Sequence, residues 1–201
     1  MRHLVILLFL CSIGCAANDM KKDPLAYSYV VDSAKLNKSM IQDDLQAFLK
    51  KYNRQWSIKD KNTCVAALYH GQKEFNIDYK LVLAIMSTES QFNIYAKGKN
   101  RESIDYGLTQ QNSRYIKRRY KASQLFLQKY KIKNSSSLYD IGSNIFSCYL
   151  CLRDIHEYSK LTKFPDYIKA YNVGEKGIKQ PNLQNKAEAY YNKFIQEYQS
   201  I

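Results

Sequence analysis

Residues 78–93 read Asp78-Tyr79-Lys80-Leu81-Val82-Leu83-Ala84-Ile85-Met86-Ser87-Thr88-Glu89-Ser90-Gln91-Phe92-Asn93. Val82, Ile85, Met86 and Glu89 recur at i, i+3, i+4 and i+7, one face of an α-helix, and Asp78 is a good N-cap. The spacing predicts a helix over 79–90 whose core-facing stripe ends in a carboxyl group. A carboxylate there loses water, which disfavours its charged form and raises its pKa, as a general acid near neutral pH requires. The plain alternative is a glutamate that reaches solvent or pairs with a lysine or arginine. Helix position alone does not separate the two.

Working outward, the composition favours helices. The chain has 201 residues, 45% hydrophobic and 24% charged, which suffices for one core and excludes wholesale disorder or a polytopic membrane protein. With 7 glycines, 3 prolines and no proline between Pro24 and Pro165, a turn-rich all-β fold is disfavoured. Apolar periodicity predicts further helices at about 39–51 (Leu45, Phe48, Leu49), 61–75, 109–119, 122–130, 138–158, 165–171 and 183–199. Residues 93–106 lose the period and gather Lys97, Gly98, Lys99, Asn100 and Arg101, reading as a loop or small irregular hairpin. A net charge of +13 points to an anionic partner.

Three short blocks stand out, the first of them holding the glutamate. Glu89-Ser90-Gln91-Phe92-Asn93, then Gly107-Leu108-Thr109-Gln110, then Ala170-Tyr171-Asn172-Val173-Gly174 resemble, in order and spacing, the three motifs of bacterial lytic transglycosylases of the lysozyme superfamily. Asn144-Ile145 followed by Leu150 resembles the family's Asn-Ile helix. The resemblance covers about residues 61–176. It implies a mainly α, lysozyme-like domain with a cleft between helical lobes, acting as a peptidoglycan lyase without metal or organic cofactor. Carried across by position, Glu89 resembles the catalytic acid/base. Gln110 and Asn172 resemble polar groups around the sugar, Tyr171 the cleft tyrosine, and Ser90 and Phe92 structural positions. Gly107 would let backbone approach the glycan, and a tyrosine offers a sugar ring a flat apolar face plus a hydroxyl. The family commonly has Met where Thr109 stands and Gly where Cys148 stands. The first difference bears on sugar packing in the cleft; the second implies tighter helix packing or a covalent link.

A second resemblance overlaps the first. Ser103-Ile104-Asp105-Tyr106-Gly107 and Gln110-x-Asn112-Ser113-Arg114 are similar to the chicken-type lysozyme segment, which makes Asp105 a candidate second carboxylate. Secretion-associated transglycosylases carry a similar block, and bracing the loop is the plainer role. The implied reaction cleaves the β-1,4 bond between N-acetylmuramic acid and N-acetylglucosamine to leave 1,6-anhydromuramic ends. The alternatives are a hydrolytic muramidase using Glu89 and Asp105, and a non-catalytic peptidoglycan-binding lipoprotein. Lys117-Arg118-Arg119 invites a nucleic-acid reading, but no phosphate loop, finger or aromatic RNA motif accompanies it. The same charge suits peptidoglycan, whose peptide stems carry carboxylates. His70 and His156 read as surface or satisfied core residues.

The N-terminus organises the rest. Met1-Arg2-His3 followed by the apolar run 4–10 reads as an export signal, too short to span a bilayer permanently. Cys11-Ser12-Ile13-Gly14-Cys15 resembles a lipoprotein box with Ser12 where Leu is usual; simple secretion with cleavage after Ala17 is the competing reading. The expected division is a signal at 1–14, a lipidated Cys15 with a tether over 15–38, and a catalytic domain over 39–201. The protein is then an envelope protein held to a membrane by lipid. Cys64, Cys148 and Cys151 remain, and export permits a disulfide from Cys64 to one of the other two, with buried thiols as the alternative.

Overall fold

The structure is a computed structural model that describes residues 36–100, 102–133, 137–159 and 161–201. The export signal, Cys15 and all of the tether but residues 36–38 lie outside the described residues. The order is α1 (Lys38–Lys51), α2 (Ile58–Phe75), α3 (Tyr79–Ser90), β1 (Lys97–Lys99), β2 (Ile104–Tyr106), β3 (Gln111–Asn112), α4 (Ser113–Lys129), α5 (Ile141–Tyr158), α6 (Phe164–Val173), α7 (Glu175–Ile178) and α8 (Pro181–Gln199). Helices dominate and the sheet is small, as a lysozyme-like domain requires.

The helix over 79–90 forms within the expected bounds. Asp78 caps it, its carboxylate accepting from the Lys80 N–H at 2.9 Å. Burial goes beyond one stripe: apart from Lys80, every residue from Tyr79 to Thr88 is buried, because α3 is packed against α1, α2, α5 and α8 together. Its C-terminal end is pinned. Gln91 and Phe92 take left-handed φ values of 49° and 57°, which costs roughly 1–2 kcal/mol per residue. The fully buried Phe92 ring stacks on Phe48 with centroids 5.0 Å apart. The Trp56 indole donates to the Phe92 carbonyl at 3.2 Å and Arg54 to the Gln91 carbonyl at 2.8 Å. Burying one phenyl ring contributes roughly 2–3 kcal/mol, enough with these bonds to hold the strained turn that follows Glu89.

α5 is the second buried axis, with every residue from Ile141 to Leu152 out of solvent. α2 approaches it at Gly71, where a β-carbon would stand 2.1 Å from the Tyr149 ring. The Tyr149 hydroxyl then reaches the Leu68 carbonyl at 3.1 Å. Of the two readings of the remaining cysteines, a disulfide or buried thiols, the structure has the second. Cys64, Cys148 and Cys151 are buried free thiols, filling helix contacts as small apolar groups.

The hairpin lies inside the stretch expected to be irregular. β1 pairs antiparallel with β2 (Lys97↔Tyr106, Gly98↔Asp105, Lys99↔Ile104), and β2 with β3 (Asp105↔Asn112, Tyr106↔Gln111). The helices expected over 109–119 and 122–130 are a single helix, α4, that starts later. Gly107 and Gln110 adopt φ values of 75° and 47°, so residues 107–110 turn instead of winding. The helix starts only after Asn112, whose side chain accepts from the Arg114 N–H at 3.0 Å, and nothing in Tyr120-Lys121-Ala122 interrupts it. α2 starts earlier than expected, at Ile58 behind a Ser57 cap, and α5 later, at Ile141 behind Asp140.

Candidate active site

Glu89 stands in the last turn of α3 and is partly buried. Burial pushes its carboxyl up to about 7, and the neighbouring Asp105 charge adds to the rise. Tyr190, Lys193 and Lys186 of α8 oppose it. The Tyr190 hydroxyl is enclosed and turned towards Glu89; no bond of ordinary length and angle closes between them, yet its pull keeps the carboxyl below what burial alone would give. Near neutral pH the group therefore exists in both forms, able to give a proton and to take one.

Asp105 comes from the facing strand. Alternation along β2 sends Tyr106 to one face, where it meets Tyr139 with ring centroids 5.6 Å apart, and Asp105 to the other, where its charge acts on Glu89. Its two oxygens accept from Asn100 at 2.6 Å and Asn112 at 2.7 Å. These bonds tie the residue to the hairpin, the bracing role named as its plainer reading.

Gln110, Tyr171 and Asn172 share one cleft. It encloses about 380 Å³ between the β3–α4 segment and the α6–α7 corner, with Tyr115, Arg119 and Glu175 also on its walls. Tyr171 donates to the Thr109 carbonyl and accepts from Gln111, both at 2.8 Å. Its ring is held in one orientation, and it senses the Glu89 charge beyond it. The Asn172 side-chain oxygen is buried without a hydrogen-bond partner, an acceptor that a sugar hydroxyl or N-acetyl N–H would satisfy. Gln110 lines the cleft while donating to the Gly107 carbonyl at 2.9 Å.

Two residues expected at the sugar serve the scaffold instead. Thr109 is fully buried; its N–H and hydroxyl both engage the Asn144 side-chain oxygen at 2.8 Å. Gly107 is also buried, and a β-carbon there would stand 2.5 Å from the Asn144 side-chain nitrogen, which donates to the Tyr106 carbonyl at 2.9 Å. A side chain of α5 is enough to require the glycine. Asn144 thus ties the turn that carries Gln110 to the central helix.

The helix expected over 183–199 is present as α8, but sequence reasoning missed its role at the site. Tyr190, Lys193 and Glu197 are spaced i, i+3 and i+7, with Lys186 four residues before Tyr190. This polar stripe runs beside the buried Ala187 and Phe194 on a helix packed against α3. Such an interruption beside the apolar face was the available signal.

The model of one protein family, described as the Transglycosylase SLT domain, matches residues 66–194, a stretch that includes Tyr190 and Lys193. Comparisons with curated proteins and with solved structures gave no match. With the match spanning most of the described residues and Glu89, Tyr171, Asn172 and Tyr190 gathered inside it, the chain belongs to the SLT family of peptidoglycan lytic transglycosylases.

Proposed function

We propose that this protein cleaves the β-1,4 bond between N-acetylmuramic acid and N-acetylglucosamine and leaves a 1,6-anhydromuramic end. The observation that carries the reading is Glu89, a carboxyl raised to about 7 beside a cleft fitted with a fixed tyrosine and an unsatisfied amide oxygen. Protonated Glu89 gives its proton to the glycosidic oxygen as the C1–O bond breaks. The substrate's own acetamido group stabilises the cation at C1, so one enzyme carboxylate suffices. Ionised Glu89 then takes the proton of the muramic 6-hydroxyl, and that oxygen closes on C1. No water is consumed, and Glu89 ends protonated again.

Asp105 supports a second reading, hydrolysis, because its charge acts on Glu89. Digestion of purified peptidoglycan with product masses separates the two: a hydrolysed end is heavier by one water than an anhydro end. Under the favoured reading Asp105→Asn weakens cleavage far less than Glu89→Gln. A hydrated product together with equal losses in both variants would establish the muramidase reading.

The lipoprotein assignment is also a proposal, resting on the Ser12-Ile13-Gly14-Cys15 segment. Multiple acyl chains give stable anchoring where one gives only reversible binding. The full chain should therefore partition with detergent, and Cys15→Ala should shift it to the aqueous phase. A mature N-terminus at Asn18 would instead establish ordinary secretion.

A further inference from the structure

Arg119 is the one member of Lys117-Arg118-Arg119 that lines the cleft. It is half-buried, while its two neighbours are exposed. Tyr115, one helical turn earlier, carries the guanidinium over its ring at 5.4 Å from the centroid. On the other side the group lies against the buried Cys151 thiol, which it holds below the value burial alone would give. Ring and thiol orient the guanidinium but do not neutralise it. Among the described residues no ion pair engages Arg119, whereas nearby Arg114 is paired with Glu102. Glu175, also on the cleft wall, forms no ion pair with it.

A partly desolvated guanidinium facing an open cleft calls for an anion from outside the chain. The sugar backbone of an N-acetylated glycan is neutral, and the lactyl group is uncharged once it carries a peptide. The remaining anions of such a substrate are the carboxylates of its peptide stem. Tyr171 and Asn172 share the cleft with Arg119, so a sugar held by the first two would project its stem within reach of the third.

We propose that Arg119 receives a stem-peptide carboxylate, so that the cleft selects glycan whose stems keep their carboxylates free. This rests on the peptidoglycan reading given above and adds to it a specificity residue. Amidation converts a stem carboxylate to a neutral amide of almost the same shape and removes only the charge. A charge-assisted hydrogen bond at a partly exposed site is worth about tenfold in KM.

The test compares soluble peptidoglycan fragments whose stems are either free acids or fully amidated, using the full chain with melting curves as a folding check. The wild type should show a KM about tenfold lower for the free acid, a preference that shrinks as salt rises. In Arg119→Gln the ratio between the two substrates should fall towards one; in Arg119→Lys, which keeps the charge but not the fork, part of it should remain. Equal KM values for both fragments in an active wild type would overturn the proposal while leaving the transglycosylase reading intact. If neither fragment were cleaved, the enzymatic reading would fail, and equilibrium binding of the same fragments would still decide the charge preference.

Discussion

The Lys193 ammonium, on α8, donates to the main-chain carbonyl of Thr88, the residue immediately before Glu89. One turn on, Glu197 accepts from Ser87 at 2.6 Å and pairs with Lys51 of α1 at 2.7 Å. One turn back, Tyr190 faces the Glu89 carboxyl itself. The last helix of the chain is therefore clamped along the end of α3, closing one side of the site. It supplies a donor to the free carbonyls that every helix terminus leaves.

Glu89→Gln should keep the fold and lower peptidoglycan cleavage by at least about two orders of magnitude, the usual consequence of removing a general acid/base. Turnover near wild type in a folded variant would remove Glu89 from the mechanism.

Tyr190→Phe removes the hydroxyl that holds Glu89 down. The carboxyl should then titrate at higher pH, moving the alkaline limb of the pH–rate profile upward, with kcat reduced about tenfold as an orienting contact is lost. An unmoved limb would show that the hydroxyl only packs.

How much of this was legible depended on range. α3 and its carboxyl could be read because local periodicity and a short motif coincide within about a dozen residues. Gln110, Tyr171 and Asn172 could be placed through motif order, and they do share a cleft. Thr109 and Gly107 were assigned to the sugar because a motif does not say which way its residues face; their partner, Asn144, lies 35 residues further on from Thr109. The role of α8 arises from contacts such as Lys193 to Thr88, 105 residues apart. No local pattern encodes such a separation. The late start of α4 has a local reason, two left-handed residues before it, one of them a glutamine that does not advertise the turn.

The three buried thiols give a direct check on the core. Burial raises all three, Cys151 to about 11, so thiolate is scarce at neutral pH, and access to Cys64 and Cys148 is closed. A maleimide should leave Cys64 and Cys148 of the native protein unmodified, and a reductant should leave its melting temperature unchanged. A fall in melting temperature on reduction would mean that a disulfide forms.

Gly107→Ala should destabilise the domain by about 2–4 kcal/mol in chemical denaturation. It sets a β-carbon in a left-handed turn and drives it into Asn144. Asn144 holds both Tyr106 and Thr109, so Gln110 should lose its placement and KM should rise in the same variant. A neutral substitution would show that the turn has room the geometry denies.

The raised Glu89 pKa also has a thermodynamic consequence with a definite sign. The group titrates near 4.5 unfolded and at about 7 folded, so between those values the folded state holds more proton than the unfolded one. Stability then falls as pH rises through that window, is unaffected by Glu89 below about 4.5, and carries the full penalty above about 7. Discounted for the partial exposure of Glu89, the penalty is roughly 2–3 kcal/mol. Asp78, raised by burial to about 6, contributes a fall of the same sign, so the slope for the wild type alone does not isolate Glu89. The difference between wild type and Glu89→Gln does, because Asp78 is common to both. The variant should gain stability relative to wild type as pH goes from 4.5 to 8, whatever constant offset the amide introduces. Denaturation curves at several pH values in that range are the measurement, and a pH-independent difference would mean that Glu89 titrates as an ordinary surface carboxylate, leaving it without the proton a general acid must hold near neutral pH.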